Sequence, residues 1–187
     1  VRLSDGLRLG AVGDGWRVAL TCLGFERDHS GGGGGGHVGG GYHQVLMAAR
    51  HFGLTDDPLV RGMLADLYLH HRVAQFTNRR AAAKLKAGQT PGPEGSLGKL
   101  MWTANMSRVS DAISRILGAR FVADTGEGGT WAWGEHVLGA PGYKIAGGSD
   151  EIQRNIIGER VLGLPAEPRV DKDQPFDEAQ RAARGAR

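Results

Sequence analysis

The sequence predicts an all-α fold, an up-and-down bundle of four to five helices with a short residual β segment at the N-terminus. Three observations lead there. Apolar residues recur at three- and four-residue spacing through most of residues 15–163, the period of a helix buried on one face. Glycine- and proline-rich breaks divide those stretches, above all Gly31 to Gly36 and Gly88-Gln-Thr-Pro-Gly-Pro93, and such breaks end helices. Only Val1 to Asp14 has the short, glycine-punctuated pattern of extended chain.

Val1-Arg-Leu-Ser and Leu7-Arg-Leu-Gly-Ala-Val12 make one or two strands, too short to form a sheet alone. The first helix is expected from Gly15 to Ser30, with Trp16, Val18, Leu20, Cys22, Leu23 and Phe25 on a broad apolar face. A low-complexity glycine tract follows, and Tyr42 to Arg50 resumes the helical pattern. Thr55 or Asp56 is placed to cap the next helix, with Pro58 in its first turn. Its buried stripe is Leu59, Val60, Met63, Leu64, Leu67, His71 and Ala74, and it runs to Lys86. Beyond the proline turn, a further long helix carries Leu97, Leu100, Met101, Ala104, Ile113, Ile116 and Leu117. Two long helices joined by so short a turn pack antiparallel. Arg120 to Gly142 is irregular, apart from a short helix near Thr130 to Val137. A last helix opens at Ser149 and stops at Gly163 and Pro165. The charged tail, residues 169–187, is expected to be disordered, with at most a frayed helix.

Composition bounds what such a bundle does. With 187 residues, 40% hydrophobic and 23% charged, the chain is long enough for one domain with a core. No apolar run approaches the roughly 20 residues a membrane span needs. The net charge of +3 comes from dispersed lysines and arginines rather than a basic stripe, so no nucleic-acid partner is expected. One cysteine, Cys22, permits no internal disulfide and fits a reducing, cytoplasmic setting. Its apolar neighbours suggest packing. His29, His37 and His43 lie in or beside the glycine tract, and His70 and His71 point to different faces of one helix. Neither group has metal-ligand spacing. Trp131 and Trp133 either pack or stack on a planar ligand.

The stretch with the most chemistry is Tyr143 to Pro165. Gly147 and Gly148 allow positive φ and present no Cβ to a ligand. Ser149 is an N-cap, and Asp150 and Glu151 complement the positive end of the helix dipole. Free N–H groups behind such a turn seat an anionic or carbonyl-rich ligand.

Ile145-Ala-Gly-Gly-Ser-Asp-Glu-Ile-Gln-Arg-Asn-Ile-Ile-Gly-Glu-Arg-Val-Leu-Gly-Leu-Pro-Ala-Glu-Pro168 resembles the C-terminal signature of bacterial acyl-CoA dehydrogenases. The resemblance covers about residues 1–168. It implies an FAD enzyme that takes a proton from Cα of an acyl-CoA thioester and passes the Cβ hydride to flavin. It also implies reoxidation by an electron-transfer flavoprotein and assembly as a homo- or hetero-oligomer. On this reading residues 1–14 are the exit of a β-domain, residues 15–168 the C-terminal helical bundle, and the family's other domains are not in this sequence. Many members place the catalytic glutamate in the glycine turn, where this chain has Gly147. Others carry it on the first helix in a Leu-x-x-Glu-Arg pattern, which Leu23-Gly-Phe-Glu26-Arg27 matches. The resemblance therefore implies Glu26 as base and Arg27 as its substrate-side neighbour. It implies Gly147, Gly148, Ser149 and Glu151 as flavin contacts. Arg50-His-Phe52-Gly53 resembles the arginine-aromatic-glycine motif for the cofactor diphosphate, with the arginine one position closer. Gly128-Gly129 stands for the glycine turn that precedes the signature. The alternative is a non-catalytic or truncated subunit of such an enzyme.

Overall fold

The computed structural model describes residues 2–26, 40–88, 92–93, 95–123, 125–168 and 174–185. Among them are α1 (Gly15–Glu26), α2 (Tyr42–His51), α3 (Pro58–Lys86), α4 (Gly95–Leu117), α5 (Thr130–Tyr143), α6 (Asp150–Ile156) and α7 (Phe176–Gly185). The all-α expectation holds. The residual β segment does not, because no described residue is in a strand. The segment before α1 holds one 3-10 turn, Asp5–Leu7, capped by the Ser4 hydroxyl. A strand needs a neighbour for its backbone groups, and no described segment provides one.

Packing centres on α4. Its partners α3 and α5 both run antiparallel to it. Asp66 pairs with Arg108 at 3.7 Å, while Asn78, further along α3, lies 3.6 Å from a Cβ built on Gly98, nearer the start of α4. His136 meets the Met106 carbonyl at 3.3 Å, and Tyr143 lies 5.0 Å ring to ring from Trp102. The core joins Val45, Ala48 and Ala49 of α2, Val60, Leu64 and Leu67 of α3, and Trp133 of α5. These close on Val109, Ala112, Ile113, Ile116 and Leu117 of α4.

The cap of α3 is Asp57, one residue beyond the expected position. Its carboxylate accepts from Leu59 N at 2.7 Å and Val60 N at 3.2 Å. Pro58 lacks an N–H and occupies the first position, where none is needed.

The apolar stripe of α4 departs from expectation. Ile113, Ile116 and Leu117 are buried, but Leu97, Leu100, Met101 and Ala104 are only half-buried. The side actually buried in that half carries Ser96, Lys99 and Thr103. Leu100, Met101 and Ala104 instead line a shallow groove against His70 and Val73 of α3, of about 180 Å³. Ligand pockets run to roughly 300–1,000 Å³, so this groove is too small to seat an acyl-CoA.

No described side chain of α1 is buried. Trp16 is 76% exposed, and Leu20 and Leu23 are exposed with it. Cys22, expected to pack, is exposed too, because the face it shares has no cover among the described residues. In the tail, α7 occupies a stretch expected to lack stable structure. An Arg181–Asp177 ion pair at 2.5 Å spans one of its turns.

The α2–α3 seam holds a ring cluster. Tyr42 lies 5.3 Å from Tyr68 and 5.9 Å from His71, and His43 lies 5.2 Å from His71. Desolvation first, then the neighbouring His43 and Arg72, push the His71 imidazole below its ordinary value of 6.5. The unfolded chain therefore binds the proton more readily than the folded one. This contribution to stability is complete above pH 6.5 and is lost as pH falls below it. Melting temperature should accordingly drop faster between pH 7 and pH 5 for the wild type than for His71→Phe, which keeps the ring contacts. Parallel pH profiles would remove His71 from the account.

Candidate functional site

The signature turn links α5 to α6. Two residues in it, Gly147 (φ 64°) and Gly148 (φ 93°), hold left-handed conformations that a Cβ disfavours. At Gly148 space also decides: a Cβ there would lie 2.7 Å from Gln153 Nε2. Ser149 caps α6 as its sequence predicts, its hydroxyl accepting from Ile152 N at 3.4 Å. Glu151 is exposed. Its own backbone N–H, then the Ser149 hydroxyl, hold its carboxyl below the usual range. Both favour the ionised form at a helix N-terminus.

The turn is held from beneath. Gln153, fully buried, donates through Nε2 to the carbonyls of Gly147 at 3.1 Å and Gly148 at 3.3 Å. No peptide bond among the described residues is cis, and in a trans peptide the carbonyl and the following N–H point oppositely. The N–H groups of Gly148 and Ser149 therefore face away from Gln153, toward the outer side of the turn. No acceptor among the described residues meets them.

Deeper still, Lys99 Nζ reaches Asp150 Oδ1 at 3.4 Å and the Lys144 carbonyl at 3.3 Å. Thr103 donates to the same Asp150 oxygen at 2.9 Å. Asp150 N closes the loop onto the Lys144 carbonyl at 3.0 Å. Sequence reasoning assigned Asp150 to the helix dipole and overlooked Lys99, Thr103 and Gln153. The available signal was spacing: Ser96, Lys99, Thr103, Met106, Ser110, Ile113 and Leu117 form one unbroken three-four stripe.

A second cluster joins the two shorter motifs. Phe52 packs against the turn at Gly128 (φ 59°), where a Cβ would lie 3.0 Å from its ring. The Arg120 guanidinium stands 4.9 Å over that ring's centroid, and His51 lies 3.6 Å from Glu127. Arg50 is exposed beside this cluster in sequence, on α2. Gly128 and His51-Phe52 thus lie together.

Glu26 is the last described residue of α1. Its side chain and all of Arg27 lie outside the described residues. The two tryptophans divide: Trp133 is buried in the core, and Trp131 is 55% exposed.

Residues 13–162 match the family model described as acyl-CoA dehydrogenase, C-terminal domain. With an all-α bundle ending in this glycine turn, the chain belongs to the acyl-CoA dehydrogenase family. It is 35% identical over 167 residues to the acyl-CoA dehydrogenase IpdE1 of Mycolicibacterium smegmatis, covering 89% of this chain and 41% of that protein. The IpdE1 of Mycobacterium tuberculosis is 34% identical over 166 residues, covering 89% and 42%. The acyl-CoA dehydrogenase FadE34 of the same organism is 30% identical over 168 residues, covering 88% and 22%. The chain thus spans about two-fifths or less of the length of these relatives. No solved structure matches it. Among the described residues, no helix is long and apolar enough to cross a membrane.

Proposed function

We propose that this chain supplies the C-terminal domain of an FAD-dependent enzyme that desaturates an acyl-CoA thioester between Cα and Cβ. The observation that carries the reading is the signature turn. It combines left-handed glycines, two outward N–H groups and a carbonyl-gripping glutamine in a chain of this family. Such a turn fits a flat, carbonyl-bearing ring, since no Cβ intrudes and the N–H groups are free to donate.

Gly147, Gly148, Ser149 and Glu151 would lie along the cofactor, and Arg50 would reach its diphosphate. Bound FAD would supply the acceptor for the Cβ hydride. Glu26, desolvated by the acyl chain and so made more basic, would take the proton from Cα, with Arg27 holding the substrate side. The glycine at position 147 leaves the turn without a base of its own, which is what directs that role to α1. The two electrons carried by that hydride would pass on from the reduced flavin to an electron-transfer flavoprotein, in an oligomer built from this or related chains. Residues 1–14 would lead in from a β-domain, residues 15–168 form the helical domain, and residues 169–187 a tail.

Anaerobic addition of an acyl-CoA to the complete, FAD-loaded protein should abolish the oxidised flavin's visible band within seconds. A protein that binds FAD and acyl-CoA but keeps that band would support the second reading, a non-catalytic subunit. Gly147 in the usual base position and the one-residue shift of Arg50 favour that alternative.

A further inference from the structure

We propose that Lys99, with Asp150 and Thr103, is the positioning group that sets the signature turn over the bundle, an inference that rests on the turn being the cofactor-binding wall. The unusual feature is polarity. In the half of α4 beneath the turn, Ser96, Lys99 and Thr103 are the buried side chains, each 2% exposed or less. Leu97, Leu100 and Met101 stay half-exposed beside them.

Stability alone does not account for this arrangement. An ion pair removed from water gives up much of its hydration, and well-packed apolar side chains stabilise such a position at least as well. What a buried pair specifies is location. Lys99 Nζ lies 3.3 Å from the Lys144 carbonyl at the start of the turn and 3.4 Å from Asp150 Oδ1 at its end. It thus grips both ends from one point on α4. Thr103, one helical turn further on, fixes the same carboxylate at 2.9 Å. Asp150 N joins the two ends directly.

With the ends pinned, Gln153 can draw the carbonyls of Gly147 and Gly148 inward, which turns the N–H groups of Gly148 and Ser149 outward. The glycines make this necessary. Left-handed glycine pairs have many accessible conformations, and only outside contacts select one. None of the three residues touches substrate in this account; each acts through the turn.

The test uses the complete protein and its Lys99→Met/Asp150→Asn and Thr103→Val variants. The double variant removes both charges, so neither is left buried alone, and Thr103→Val removes one donor at constant shape. Hydrogen exchange is followed in residues 144–154 and in the core of α4, residues 106–117, beside the FAD dissociation constant and the split between kcat and KM. Both variants should keep slow exchange in 106–117. In 144–150 exchange should quicken, by about 10-fold in the double variant and several-fold in Thr103→Val. FAD affinity should weaken about 10-fold in the double variant, with kcat falling and KM for acyl-CoA little changed. Variants with an intact core, wild-type exchange at 144–150 and wild-type FAD affinity would overturn the proposal. Should the double variant fail to fold, Thr103→Val decides by the same criteria. If the wild type binds no FAD, the reading of the turn as a cofactor wall fails, while the exchange measurement still decides whether the three residues position the turn.

Discussion

Glu26→Gln in the complete flavoprotein is expected to leave FAD and acyl-CoA binding within a few-fold of wild type and to slow substrate-driven bleaching of the flavin by about 100- to 10,000-fold. The amide matches the carboxylate in size and accepts hydrogen bonds, but it does not take up a proton from carbon. A proton acceptor used only in the transition state lowers kcat and kcat/KM together. Glu151→Gln provides the control. Its carboxylate is exposed and engaged with its own helix terminus, so the same substitution should alter FAD binding more than the rate of proton removal. Equal losses at the two positions would mean that neither is the base.

Ile113→Ala should have the largest effect on folding. Ile113 is fully buried in the C-terminal part of α4, in the core shared with α2, α3 and α5. Removing its three outer carbons leaves a cavity that helices packed on several sides cannot close. The cost is about 2–5 kcal/mol, or a fall in melting temperature of about 2–4 °C for each kcal/mol in a chain of this size. Leu59→Ala, at a leucine 78% exposed on α3, should change stability by no more than about 0.5 kcal/mol. Thermal melts by circular dichroism compare the two directly. Similar melting temperatures would mean that α4 is not the centre of the core.

Much of this fold was legible because period alone determines it. Pro58 and Lys86 bound α3 as read, and Ser149 caps α6 as read. The end of the signature helix was also legible: a π-helical turn, Ile157–Val161, continues α6, and Gly163 beyond it adopts the left-handed conformation (φ 68°) expected past a helix terminus. What sequence could not reveal was which side of a helix faces the core when a neighbour offers a carboxylate. Leucines at 97 and 100 read as core, yet Asp150, 51 residues beyond Lys99, draws the polar side inward. Such a choice depends on a contact distant in sequence, which local pattern does not carry. Cys22 misled for the related reason that an apolar helix face predicts burial only if a partner covers it. At the site, the glycine turn and its cap were legible as residues, and the meeting of Phe52 with Gly128 was anticipated only as two separate motifs. The inward pull of Gln153 on the turn was not legible, since it depends on φ angles that glycine leaves open.

The placement of the base on α1 is tested most directly by one distance, measured in a crystal structure of the complete flavoprotein with an acyl-CoA bound. The Glu26 carboxylate is expected within about 10 Å of Gly147 Cα, a gap the acyl thioester fills with hydrogen-bond reach at one end. Glu26 facing solvent on the opposite side of the bundle, with no carboxylate near the substrate's Cα, would contradict it.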